Sequence, residues 1–172
     1  MVSPADAADL CALAEGAARA AGALLLDRLD QVRTDVQTKS SGTDMVSEVD
    51  RAAEALIVEH LLGTRPDDGM VGEEGTDRTG SSGVRWIVDP LDGTTNYLYG
   101  LAGFGVSIAA EVRDEVVAGV VLDVVRGELF AAVRGGGATR DGRPIRVSDA
   151  PDLATALVAT GFSYDSARRA RQ

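Results

Sequence analysis

The chain has 172 residues, 45% of them hydrophobic, enough for one domain with a real core and too few to argue for two. Its 17 basic and 27 acidic residues leave a net charge of −10, which repels polyanions at long range and argues against nucleic acid as a partner. A single cysteine, Cys11, rules out an internal disulfide, no signal-peptide pattern opens the sequence, and the most apolar segment, Ala20 to Leu26, falls short of the roughly 20 residues that span a bilayer, so a cytoplasmic protein without a membrane helix is expected.

From Asp6 to Leu29, apolar residues at Leu10, Leu13, Ala14, Ala17, Ala21, Leu24 and Leu25 follow a helical period, with Ser3 as cap and Pro4 in the first turn. Lys39 to Thr43 has loop composition, and a second helical pattern runs from about Ser47 to Leu62, stopping at Gly63. Thr64 to Gly83 reads as loop, brief strand at Met70-Val71, then loop. Arg85 to Val88 is a β-prone run, and Asp89-Pro90 is expected to end it because proline cannot donate to a ladder. Three further runs, Phe104 to Val112, Val116 to Val125 and Glu128 to Val133, predict an antiparallel meander. They are apolar on both faces, which implies cover by more layers than this sequence supplies. Helices first and strands later indicate a mixed α/β fold of layered helices and sheets, without strict strand-helix alternation.

The chemistry lies in Asp89-Pro90-Leu91-Asp92-Gly93-Thr94-Thr95-Asn96 and in the adjacent acids Glu73 and Glu74 upstream. Two aspartates three apart across a proline turn can converge on one point, and a hard cation such as Mg²⁺ prefers carboxylate, carbonyl and water oxygens. Gly93 permits close approach of backbone amides, and a helix beginning at Thr94 would offer free N–H groups to a phosphate. No histidine or cysteine cluster suits zinc.

Gly72-Glu73-Glu74, followed by Trp86-Ile87-Val88 and the run Asp89 to Asn96, resembles the first metal-binding signature of the inositol monophosphatase family. Lys39-Ser40-Ser41 and Asp44-Met45-Val46-Ser47-Glu48-Val49-Asp50 resemble its lysine and "D-x-V-T-x-x-D" segment, with serine for threonine, and Gly135 to Ala138 with Asp141 to Ile145 resemble its later turn region. The resemblance implies one domain over residues 1–172, incomplete at its C-terminal end. Its fold would be the layered α-β-α-β-α sandwich of the inositol monophosphatase and fructose bisphosphatase type, with a mixed, largely antiparallel sheet. It implies a lithium-sensitive, Mg²⁺-dependent phosphoric monoester hydrolase using two or three ions, with Mn²⁺ able to substitute. Inositol monophosphate is the first-choice substrate, since Thr95 stands where inositol-phosphate members commonly carry it. Histidinol phosphate, fructose bisphosphate and nucleotide bisphosphates are the alternatives, and a regulatory or protein-binding relative with impaired catalysis is the reading from another class.

Carried over residue by residue, the resemblance gives Glu73, Asp89 and the Leu91 carbonyl as ligands of a first ion, and Asp89 with Asp92 as ligands of a second. Glu73 and Thr94 would position and activate the attacking water, Asp50 would support the threonine hydroxyl, and Gly93, Thr94, Thr95, Lys39 and Glu74 would face the substrate. A small phosphorylated alcohol or sugar is the implied ligand, and a homodimer the implied assembly. The family's second signature, a Trp-Asp pair that completes the second ion's ligands, is not in these residues, so the sequence is expected to cover about two-thirds of the domain.

Other features have plainer explanations. His60 fits a helix-terminal side chain, Cys11 fits packing on an apolar helix face, and Gly135 to Gly137 fits a turn, because no Gly-Lys-Ser or Gly-Lys-Thr follows. Arg168, Arg169 and Arg171 fit a solvated helix start.

Overall fold

The structure, a computed structural model, describes residues 4–35 and 42–159. Its first element, α1 (Pro4–Asp35), is rich in alanine, the strongest helix former, and places Pro4 where a missing N–H costs nothing. Leu10, Ala14, Ala17, Ala21 and Leu25 form its buried stripe, and the helix continues beyond the expected end at Leu29. The second helix, α2 (Gly42–Thr64), begins earlier than expected and takes in Gly42 and Thr43, which loop composition had set outside it. Nothing between Asp44 and Glu48 breaks a helix, so the turn propagates backwards. Val49, Ala53, Ile57 and Leu61, each four residues apart, are buried, and α2 packs on α1 and on the sheet.

The strands are β1 (Gly69–Gly72), β2 (Asp77–Arg78), β3 (Val84–Asp92), β4 (Gly105–Val112), β5 (Glu115–Asp123), β6 (Glu128–Val133), β7 (Gly137–Arg140) and β8 (Arg143–Ile145), with a short helix α3 (Thr94–Leu98) after β3. Among the described residues they form one sheet in the order β2-β1-β3-β4-β5-β6-β7-β8, in which only β1 and β3 pair in parallel. The expected meander is present as β4, β5 and β6, although β5 stops at Asp123 and Val124 to Gly127 form the turn. The β4–β5 connection carries positive φ at Arg113 and Asp114, the pattern that matches the twist of a tight hairpin.

Pro90 does not end its strand. β3 runs on to Asp92, with its register against β4 shifting between Asp89 and Asp92, and this irregularity absorbs the missing proline donor. The correction has a functional consequence, because the bulged segment is the one that carries both aspartates.

One sheet face packs under α1 and α2 through Trp86, Val106, Ile108, Val120, Leu122 and Leu129. The opposite face is open among the described residues. Register aligns Ile87, Ala109, Gly119 and Ala132 across it, and a groove of about 270 Å³ lies over Ala109, Val121, Phe130 and Ile145. Apolar residues on both faces thus have cover on one side, as the strand composition anticipates. No described helix is long and apolar enough to cross a membrane. His60 lies exposed against Gly16 of α1, Cys11 is buried against β6, and residues 134–136 form a turn.

Candidate metal and phosphate site

The bulged end of β3 and the start of α3 form one wall of a depression of about 320 Å³, lined by Glu73, Asp89, Leu91, Asp92, Gly93, Thr94, Thr95 and Asn96. Seven of these eight lie in the Asp89 to Asn96 run, and the eighth comes from the turn after β1. The parallel pairing explains why they meet: Gly72 is in register with Val88, and the Glu73 amide donates to the Val88 carbonyl at 3.1 Å. Glu73 therefore stands beside Asp89, close enough for its charge to raise the Asp89 carboxyl.

The loop is shaped by its own polar groups. The Leu91 amide donates to Asp89 Oδ1 at 3.2 Å, and the Thr94 hydroxyl donates to the Leu91 carbonyl at 3.1 Å. Gly93 adopts φ 88°, and a Cβ there would meet the Gly103 carbonyl at 2.7 Å, so glycine is required both for its conformation and for the space. Asn96 clasps the other side by donating to the same Gly103 carbonyl at 2.8 Å. The helix expected at Thr94 is present but has only five residues, so its free amides matter more to an anion than any macrodipole. Buried Tyr97 anchors it, its hydroxyl donating to the Leu25 carbonyl at 2.8 Å and its ring meeting Phe104 edge to face.

Asp50 is buried on α2 below this wall. Loss of solvent pushes its carboxyl up to about 7, and the negative charges of Glu74, Asp89, Glu73 and Glu54 add to the effect. Asp89 is raised to about 6, first by desolvation, then by the charge of Glu73, and then by Asp92, with the Leu91 amide opposing. Carboxylates that disfavour one another's charge in this way are what a bound cation would relieve. Among the described residues no three acid, histidine or cysteine side chains close on one point as a finished cage. The donor set is nonetheless all oxygen, with Leu91 and three carboxylates, Glu73, Asp89 and Asp92, lining one depression, and that chemistry fits Mg²⁺.

The raised values set a pH dependence. Between about pH 4 and 7 the folded chain holds more protons on Asp50 and Asp89 than the unfolded chain, so without metal these groups favour folding at low pH and their contribution is lost as pH rises. Thermal melts in chelator should give a lower midpoint at pH 8 than at pH 5, and Mg²⁺ should raise the midpoint more at pH 8. A metal-free midpoint that climbs across this range would contradict the crowding.

Of the residues singled out from sequence, Glu73, Asp89, Leu91, Asp92, Gly93, Thr94 and Thr95 share this depression, and Asp50 lies electrostatically close to Glu73, Glu74 and Asp89. Glu74 is turned so that its amide serves α2, and Lys39 lies outside the described residues. Sequence reasoning missed Glu54, whose carboxylate receives that amide. Its signal was available, since Glu54 sits one helical turn after Asp50 and so on the same face.

The inositol monophosphatase family profile matches residues 6–172. The chain is 42% identical over 154 residues to "Nus factor SuhB" of Xylella fastidiosa, covering 90% of this chain and 56% of that protein. It is 46% identical over 122 residues to "Inositol-1-monophosphatase" of Rhizobium meliloti, covering 70% and 46%. Among solved structures, Mycobacterium tuberculosis SuhB superimposes with TM-score 0.80 at 34% identity, covering 95% of this chain and 62% of that one. Inositol monophosphatase from Anabaena gives TM-score 0.77 at 36% identity, covering 91% and 56%. The chain spans about half the length of the curated relatives it matches, less than the two-thirds expected from its motifs. The layered fold agrees with these matches, the family profile covers nearly the whole sequence, and the chain belongs to the inositol monophosphatase family.

Proposed function

We propose that this chain contributes the metal-binding and phosphate-binding half of a Mg²⁺-dependent phosphatase that hydrolyses a small phosphate monoester, inositol monophosphate first among them. The observation that carries the reading is the single depression in which Glu73, Asp89 and Asp92 line the same space as Leu91, Gly93 and Thr94. Glu73, Asp89, Asp92 and the Leu91 carbonyl hold two or three ions, for which Mn²⁺ can substitute. When bound, such ions supply Lewis acidity and neutralise charge on the phosphoryl and leaving oxygens. Glu73 and Thr94 orient the attacking water, with the Glu73 carboxylate as its proton acceptor, and Asp50 backs the Thr94 hydroxyl. The Gly93 and Thr94 amides take the phosphate oxygens, Thr95 and Glu74 face the alcohol half, and the family resemblance assigns Lys39 to substrate binding as well. Attack by water needs no covalent phosphoenzyme. The same reading takes a small phosphorylated alcohol or sugar as ligand, a homodimer as assembly and the cytoplasm as location.

The test is a substrate panel with and without chelator. Phosphate release should require Mg²⁺ or Mn²⁺ and be fastest with inositol monophosphate. Full activity in chelator would sink the assignment. A kcat/KM about a hundredfold higher for histidinol phosphate, fructose bisphosphate or a nucleotide bisphosphate, roughly 2.7 kcal/mol in transition-state binding, would replace the substrate. The name "Nus factor SuhB" on several relatives supports a second reading, a protein-binding role. No turnover on any panel member despite saturating metal would favour it.

A further inference from the structure

Glu54 is almost fully buried on α2, yet its carboxylate takes no part in the water, metal or phosphate roles assigned above. It fills the inside of the turn that follows β1. Its Oε2 accepts the Glu74 amide at 2.9 Å, and its Oε1 accepts both the Thr76 amide at 3.1 Å and the Thr76 hydroxyl at 2.5 Å. Three donors thus converge on two oxygens, a set that an acceptor-only carboxylate satisfies and an amide cannot. The turn is closed from outside as well, by the Gly72 amide donating to the Thr76 carbonyl at 2.7 Å. Gly72 has no room for a side chain, since a Cβ there would overlap Glu54 Oε2. Glycine at that position therefore leaves space for the glutamate.

Glu73 sits between these two clamps. Its own amide is tied to Val88 on β3, one residue before Asp89, and the next amide along the chain is tied to Glu54 on α2. The strand fixes one end of the residue and the helix fixes the other, which leaves the side chain as the main freedom. Without Glu54 the turn from Glu74 to Thr76 would lose three hydrogen bonds and two half-buried amides would lose their partners, and Glu73 would be free to leave the Asp89 rim.

We propose that Glu54 is a positioning residue that locks the Gly72 to Thr76 turn and so presents the Glu73 carboxylate to the cation beside Asp89. The inference rests on the reading of Glu73 as a metal ligand. Outer partners of this kind typically alter metal affinity by about 10-fold to 100-fold when changed. They act through the ligand, so their effect disappears when the ligand itself is removed.

The experiment is a double-mutant cycle on Mn²⁺ affinity, measured by the electron paramagnetic resonance of free Mn²⁺ with the metal-stripped chain. Glu54→Gln should weaken binding about tenfold, Glu73→Gln at least as much, and the double variant should bind within about twofold of Glu73→Gln alone. In parallel, amide hydrogen exchange at Glu74 and Thr76 should speed up in metal-free Glu54→Gln. If Glu54→Gln does not fold, Thr76→Val removes only the hydroxyl contact and should show a smaller loss with the same non-additivity. Wild-type affinity in Glu54→Gln, or losses that simply multiply in the double variant, would overturn the positioning role while leaving Glu73 a ligand. Unchanged affinity in Glu73→Gln would overturn the metal reading and this role together.

Discussion

Asp89→Asn should lower kcat/KM of the Mg²⁺-dependent reaction by at least about a thousandfold, roughly 4 kcal/mol of transition-state stabilisation. The size follows from position. In the proposed reading Asp89 would be a ligand of both ions, so its neutralisation would weaken both and with them the charge balance they would supply to the phosphoryl group. The substitution preserves shape, and an asparagine oxygen can still accept the Leu91 amide that Asp89 Oδ1 now accepts at 3.2 Å. It also removes a negative charge that Glu73 and Asp92 oppose. The metal-free variant should therefore melt no lower than the parent at pH 8, while its stabilisation by Mg²⁺ largely vanishes. Steady-state kinetics with paired melts would check both halves. Turnover at the parent rate would remove Asp89 from the chemistry, and a collapse of the metal-free fold would show that the residue serves structure first.

How far the site could be read from sequence depends on whether a residue's reason is local. The helical period of Leu10, Ala14, Ala17, Ala21 and Leu25 reports burial of one face, and these side chains are the buried stripe of α1. Asp89, Asp92 and Gly93 are legible because a short run carries both the ligands and the turn that gathers them. β2 is not legible: Asp77 and Arg78 are exposed and polar, and they form a strand only because Met70 and Val71 offer an edge. The parallel pairing of β1 with β3 is hidden for a similar reason, since no helix marks a crossover between them. Pro90 misleads because the rule for a regular strand was applied where a bulge intervenes. Glu54 escapes notice because its value lies in a turn 20 residues away.

The largest stability loss outside the metal site is expected from Asp68→Ala. Asp68 is 1% exposed, just before β1, and its carboxylate joins three segments. Arg65, at the exit of α2, donates Nε to Oδ2 at 2.6 Å and a second nitrogen to Oδ1 at 3.2 Å. Ser82, ahead of β3, donates its hydroxyl to Oδ1 at 2.6 Å, and the indole of Trp86 on β3 donates to Oδ2 at 2.9 Å. Truncation strands the Trp86 donor in a fully buried position, opens a small cavity and leaves Arg65 with only its solvent-facing side to rehydrate. Together these should cost about 3 kcal/mol in urea denaturation. Trp86→Phe removes the donor and leaves Asp68 bound to Arg65 and Ser82, so it should cost less, and adding it to Asp68→Ala should cost less than the sum. The network holds Trp86 three residues before Asp89 without touching the depression that Asp89 lines. Under conditions where Asp68→Ala remains folded, its Mn²⁺ affinity should therefore stay within about threefold of the parent. A stability loss below 1 kcal/mol would mean that the three segments are held by apolar packing alone. A large fall in metal affinity with the fold intact would instead tie this network to the site it was expected only to support.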